Sequence, residues 1–186
     1  MDIIGKIRAY APFNEQEARD KDELLRRLES GEELFERSNL SAHMTASAWI
    51  VSPDRTQVLM AYHNIYDSWA WLGGHADGER DLLQVALKEA REESGLTDVR
   101  PVTEEIYSLE ILTVDGHEKK GRYVPSHLHL NLTYLLEADP GQALQMKADE
   151  NSGVKWFTPE GAIEASTEPW FRERIYSKLN AKLKMR

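Results

Sequence analysis

Three carboxylates, Glu89, Glu92 and Glu93, fall close together in the stretch GGHADGERDLLQVALKEAREESGL, residues 73–96. If that stretch is helical, the i, i+3 and i+4 spacings place all three on one face. At about 100° per residue, Leu83, Ala86, Leu87 and Ala90 point in a second direction. Gln84, Lys88 and Arg91 point farther round, towards solvent. The acids therefore sit on the border of the buried face, where a cleft wall would be. Carboxylates so placed repel one another by a few tenths of a kcal/mol per pair. Converging, they make a hard-oxygen ligand set suited to Mg²⁺ or Mn²⁺. A solvated acidic face balanced by Lys88 and Arg91 is the other reading, and the carboxylates alone leave both open. Gly73-Gly74 upstream adds weight to the first, because two glycines let the backbone turn sharply and pass over the helix.

The elements that must hold this stretch follow from periodicity and turn chemistry. Trp69 to Leu72 is a short apolar run ending at the glycines, and Asp81 to Ser94 has helical periodicity closed by Gly95 as a C-cap. Thr45–Val51 and Gln57–Tyr62 read as paired strands around the turn residues Ser52-Pro53-Asp54-Arg55. Thr103–Val114 reads as a strand, and 117–125 as a polar loop. Leu128, Leu130, Leu132, Tyr134 and Leu136 then alternate with His127, His129, Asn131 and Thr133. Val154–Phe157 is a short strand, with helices over Pro159–Ala165 and Trp170–Leu183. Upstream, residues 14–36 are strongly charged; Asn14 with Glu17 resembles a capping box, and Leu24, Leu25 and Leu28 form an apolar stripe. A second short helix is expected to hold Leu34 and Phe35. Strands interleaved with helices predict a mixed α/β sheet covered on both sides.

Within this frame, Gly74, Glu89, Ala90, Glu92, Glu93, Gly95 and Leu96 fit the Nudix box, G-x5-E-x7-R-E-U-x-E-E-x-G-U with U a bulky aliphatic. The chain thus resembles the Nudix hydrolase family, with departures at three positions. Arg80 stands at the first glutamate of the box, Lys88 at its arginine, and Ala90 at an aliphatic position. In the family those first two positions brace the loop against the helix; here Glu79 or Asp77 would have to pair with Lys88 instead. The resemblance implies an α/β/α sandwich over residues 41–186, with 1–40 a helical N-terminal extension that could serve a homodimer interface. It implies hydrolysis of a small nucleoside diphosphate derivative at a diphosphate linkage. Glu89, Glu92 and Glu93, with a backbone carbonyl at Gly73 or Gly74, would hold Mg²⁺ or Mn²⁺. Glu92, Glu93, or an acid of a later loop such as Asp149 or Glu150, would act as general base. The competing function is a Nudix-fold nucleotide-binding or regulatory domain with weak or no catalysis. Isoprenoid diphosphate isomerisation, known in relatives with an essential cysteine, is excluded because this chain has no cysteine.

Other side chains are weaker candidates. His127 and His129 share one strand face and would contact substrate or be satisfied inside; two histidines alone make a poor transition-metal site. His75 in the glycine loop and Arg122 in the 117–125 loop could meet phosphate oxygens, and Lys119 and Lys120 lie in the same loop. Trp69, Trp71, Trp156 and Trp170 read as core. With 186 residues and a net charge of −9, the chain is expected to be cytoplasmic. Its acidity weighs against a nucleic-acid polymer or an anionic membrane as partner, and no apolar run approaches the roughly 20 residues a spanning helix needs.

Overall fold

In a computed structural model, the structure describes residues 2–119, 121–148 and 151–185. The chain forms two compact units, one of 1–47, 74–85 and 105–134, the other of 48–73, 86–104 and 135–186. Three elements run through both: β1 (Ala42–Val51), α3 (Leu82–Ser94) and β9 (His127–Glu137).

In the first unit, α1 (Ile3–Ala9) and α2 (Glu15–Glu29) precede β1. Nothing in the sequence pattern signals α1; its start is capped by Asp2, whose carboxylate accepts the Gly5 N–H at 2.8 Å. Half of the expected capping box forms at α2, where Asn14 Oδ1 accepts the Glu17 N–H at 2.9 Å. The Glu17 carboxylate does not return to the cap. Fully buried, it accepts from the Phe13 N–H, the Tyr10 hydroxyl and the Ser108 hydroxyl, at 2.7, 2.6 and 2.7 Å. Burial, then the Glu17 charge, holds the Tyr10 phenol strongly towards its neutral form. Leu34 and Phe35 are not helical as expected. Their buried side chains anchor an extended segment whose carbonyls accept from the Met44 and Gly78 N–H groups, at 2.7 and 2.9 Å. β6 (Ser108–Val114) pairs antiparallel with β9, setting Glu110 opposite Asn131, Leu112 opposite His129 and Val114 opposite His127. The expected 117–125 loop is instead a hairpin, β7 (His117–Lys119) with β8 (Arg122–Val124), turned at Gly121 with φ +73°.

In the second unit the strand order is β10-β2-β1-β9-β5, where β2 is Val58–His63, β5 Arg100–Pro101 and β10 Asn151–Phe157. β3 (Ser68–Ala70) pairs with β2, and β4 (Leu72–His75) follows it. The Leu128 N–H reaches Ser41 O in one unit and the Ala138 N–H reaches Val51 O in the other. Both ends thus advance in the same direction, so β1 and β9 are parallel while β1–β2, β2–β3, β2–β10, β5–β9 and β6–β9 are antiparallel, and the sheet is mixed. The β1–β2 turn carries Arg55 at φ +59°, held by an Arg55 N–H to Ser52 O bond of 2.8 Å. α4 (Pro159–Ala165) has the predicted bounds. The last predicted helix divides into a π-helical segment, Phe171–Tyr176, and α5 (Ser177–Leu183). Trp49 and Tyr176 are fully buried and stack at 5.4 Å between ring centroids. Trp69, Trp71 and Trp156 are half-buried; Trp170, expected in the core, is 55% exposed. No helix is long and apolar enough to cross a membrane among the described residues.

Candidate functional site

α3 forms where its periodicity predicts. Asp81 accepts the Leu83 N–H at its start, at 3.2 Å. Gly95 ends it at φ +73°, with its N–H reaching Arg91 O at 2.9 Å. Apolar burial of Leu83, Ala86, Leu87 and Ala90 fixes the rotation of the helix, leaving the three carboxylates in graded environments. Glu89 is 8% exposed and Glu93 5%, whereas the Glu92 side chain is 43% exposed.

Two groups hold the Glu93 carboxylate from either side. The Gly73 N–H donates to Oε2 at 3.0 Å, and Asn151 Nδ2 donates to Oε1 at 3.2 Å. Gly73, inside β4, thus turns its backbone N–H to the helix. Asn151, the first residue of β10, is itself 1% exposed. Glu89 rests against Lys88 Nζ at 3.4 Å, and burial raises its carboxyl above the ordinary glutamate value more than this cation lowers it. Glu92 has only loose ion pairs, with Lys88 at 3.9 Å and Lys147 at 3.8 Å. Three carboxylates, two of them drawn out of water and one of those held by two N–H donors, suit a hard divalent cation.

The expected pairing of Lys88 with Glu79 or Asp77 is replaced by other contacts. Lys88 faces its own helix neighbours Glu89 and Glu92. Asp77, at φ +46°, takes the Arg37 guanidinium bidentately at 2.6 and 2.7 Å. Glu79 accepts the Asp81 N–H at 2.8 Å. Arg80 lies over the Phe35 ring at 4.6 Å and reaches Glu33 at 3.4 Å. The loop bracing therefore uses the N-terminal segment, with Arg37 and Glu33 as counter-ions for Asp77 and Arg80.

The polar face of β9 serves two purposes. Asn131 and Thr133 join a buried network in which both donate to Glu110 Oε2, at 3.1 and 3.0 Å, while the Thr45 and Ser47 hydroxyls donate to Asn131 Oδ1 at 2.9 Å each. His127 and His129 instead meet His43 and His75. Ring centroids are 4.8 Å apart for His43–His127, 5.1 Å for His43–His129 and 5.0 Å for His75–His129. Burial, then the neighbouring imidazoles, lowers His129 to about 2; burial also lowers His43. Arg122 is exposed on β8. Asp149, Glu150 and Lys120 lie outside the described residues, as does the side chain of Lys119. Three contributors are absent from the predicted site. Asn151 and His43 are single polar residues in strand runs, and the Arg37–Asp77 pair spans 40 positions; no local spacing signals any of them.

The NUDIX domain profile matches residues 42–179. Curated proteins yield no match. Among solved structures, a C. elegans Ap4A hydrolase in a binary complex superposes with TM-score 0.57 at 21% identity, covering 77% of this chain and 98% of that one. A NUDIX-family hydrolase from Clostridium perfringens gives 0.51 at 20% identity, covering 77% and 97%. The E. coli dihydroneopterin triphosphate pyrophosphohydrolase gives 0.54 at 14%, covering 73% and 92%. These likenesses establish a shared fold.

Proposed function

We propose, from the premise that this chain belongs to the Nudix family of phosphoanhydride hydrolases, that it is a divalent-metal-dependent pyrophosphohydrolase cleaving a diphosphate linkage in a nucleoside diphosphate derivative. The observation that carries this reading is the carboxylate set of α3, with Glu93 anchored by the Gly73 N–H and Asn151. Glu89, Glu92 and Glu93, with a backbone carbonyl at Gly73 or Gly74, would hold Mg²⁺ or Mn²⁺, which would neutralise charge at the diphosphate and lower the pKa of the attacking water. Glu93 keeps its orientation through two donors, so its position does not drift when ligands exchange. Glu89, raised by burial, gains from a cation that replaces the hydration it has lost. Glu92, the most exposed of the three and only loosely paired, is the residue free to take the proton of the attacking water. His75, at the end of β4, would contact a phosphate oxygen. The names of two similar structures, for Ap4A and for dihydroneopterin triphosphate, favour a small nucleotide-like substrate.

The test is a panel of nucleoside diphosphate sugars, dinucleoside polyphosphates and nucleoside triphosphates with Mg²⁺ or Mn²⁺, read by product identity. Turnover is expected on at least one member, with a loss of about 10²-fold or more in Glu92→Gln, the scale typical of removing a positioned acid–base group. A folded protein inert across the panel but stabilised by a nucleotide would refute catalysis in favour of a binding domain.

A further inference from the structure

Five of the chain's six histidines, residues 43, 75, 117, 127 and 129, form one connected group of rings. They come from separate places: His43 from β1, His75 from the end of β4, His117 from β7, and His127 and His129 from β9. One ring nitrogen each of His43, His75 and His129 lie within 4.8 Å of one another. Neutral imidazoles gain little by packing together, so a cluster of this kind calls for something to occupy its lone pairs.

The tautomers show where those lone pairs are. His43 Nδ1 is 3.1 Å from Asn39 O, and His127 Nδ1 is 2.8 Å from Pro125 O. A carbonyl oxygen can only accept, so in both rings Nδ1 carries the proton and Nε2 the lone pair. His43 is 4% exposed, and its Nε2 is buried with no hydrogen-bond partner among the described residues. An unmet buried acceptor costs about 1–3 kcal/mol. His127 Nε2 lies 3.2 Å from His129 Nε2. His43, which donates one N–H to a backbone carbonyl and leaves its other nitrogen buried and unmet, has the usual arrangement of a metal-bound histidine.

We propose that His43, His75 and His129 form a second metal site, separate in chemistry from the α3 carboxylates, that takes a first-row transition ion of the Zn²⁺ class. An all-imidazole set binds Zn²⁺, Co²⁺ or Ni²⁺ well and Mg²⁺ poorly. Zinc–nitrogen bonds of about 2.0–2.1 Å place tetrahedral ligands about 3.4 Å apart, so nitrogens now within 4.8 Å of one another must close by up to about 1.4 Å. His75 follows two glycines at the end of β4, where a small backbone adjustment brings its ring towards the other two. Neutral ligands leave the ion its full charge. Because His75 and His129 are only half-buried, a fourth position stays open for water or a phosphate oxygen. The carboxylate set would then select Mg²⁺ by hard oxygen donors while the histidines select a softer ion.

Metal-stripped full-length protein is titrated with Zn²⁺ and, separately, Co²⁺ in millimolar Mg²⁺, which keeps the carboxylates occupied. The readouts are retained zinc per chain after gel filtration and the visible absorption of four-coordinate Co²⁺. Expected are about one zinc per chain and the cobalt spectrum in wild type and in Glu92→Gln, with affinity at least tenfold weaker in His43→Gln and in His75→Gln. Thermal midpoints without metal establish that each variant folds, and His75→Gln, at the half-buried end of β4, carries the test if His43→Gln does not. Absence of bound zinc in wild type, zinc retained unchanged in the histidine variants, or equal loss in Glu92→Gln would each overturn the site. None of these readouts depends on turnover, so failure of the hydrolase reading leaves this one standing, and the reverse.

Discussion

Glu92 and Glu93 are adjacent and chemically identical, yet truncating them to alanine should separate stability from activity. Glu93 is 5% exposed and accepts the Gly73 N–H at 3.0 Å and Asn151 Nδ2 at 3.2 Å. Glu93→Ala removes both acceptor oxygens and leaves the buried Asn151 Nδ2 and the half-buried Gly73 N–H without them. At about 1–3 kcal/mol for the buried Asn151 donor and somewhat less for the half-buried Gly73 N–H, the loss is about 2–5 kcal/mol. Glu92, 43% exposed with ion pairs at 3.8 and 3.9 Å, contributes at most about 0.5 kcal/mol through each pair. Alanine's better helix propensity offsets part of that. Urea unfolding in EDTA, where no bound cation adds stability, should therefore show Glu93→Ala destabilised by about 2–5 kcal/mol and Glu92→Ala within about 1 kcal/mol of wild type. In a chain of this size that corresponds to a fall in Tm of about 5–15 °C for the first variant. Metal-dependent turnover should be lost in both. Equal stabilities for the two variants would refute the buried anchoring of Glu93, and full turnover in Glu92→Ala would refute its part in the chemistry.

Two further perturbations test other parts of the structure. Gly95 has φ +73°, and a Cβ there would meet Gln145 Cβ at 2.8 Å and Gln145 N at 2.9 Å; Gly95→Ala should cost about 2 kcal/mol or more by thermal unfolding, and a neutral result would refute the close approach. In metal-free protein His129 is held neutral down to about pH 2 by burial and its neighbouring imidazoles. A base with a lowered folded-state pKa contributes stability above its unfolded value of about 6.5 and loses it as pH falls towards 2. Wild type should therefore lose up to about 1.4 kcal/mol per pH unit more than His129→Asn below pH 6, and parallel stability curves in EDTA would contradict this.

Where the chemistry depends on neighbours in sequence, it was legible in the residues. The helix carrying Glu89, Glu92 and Glu93 follows from periodicity, and its Gly95 ending from the left-handed conformation only glycine adopts freely. Asn14 caps α2 as its spacing predicts, and Pro159–Ala165 is helical to the residue. Leu34 and Phe35 depart from the same logic because their backbone groups gain more from distant strand and loop partners than from a short isolated helix. The 117–125 stretch forms a hairpin because Gly121 supplies the positive φ for a tight turn between polar strands.

The sequence by itself determined the carboxylate ladder and the exclusion of thiol chemistry, both set by residue type and spacings of a few positions; the turn expected at Gly73-Gly74 is instead a continuation of strand β4. Only the tertiary structure decided how those acids differ from one another, because burial and the donors that reach Glu93 come from strands at Gly73 and Asn151. It also decided that Glu17 is buried in a polar network and not returned to its cap, through Ser108 at 91 positions' remove. His127 and His129 were visible as a pair on one strand face. That they meet His43 and His75 is a consequence of β9 running beside β1, a neighbour relation that residue spacing does not encode. Ligand geometry depends on distances in space, and side chains far apart in the chain acquire those distances only when the fold closes.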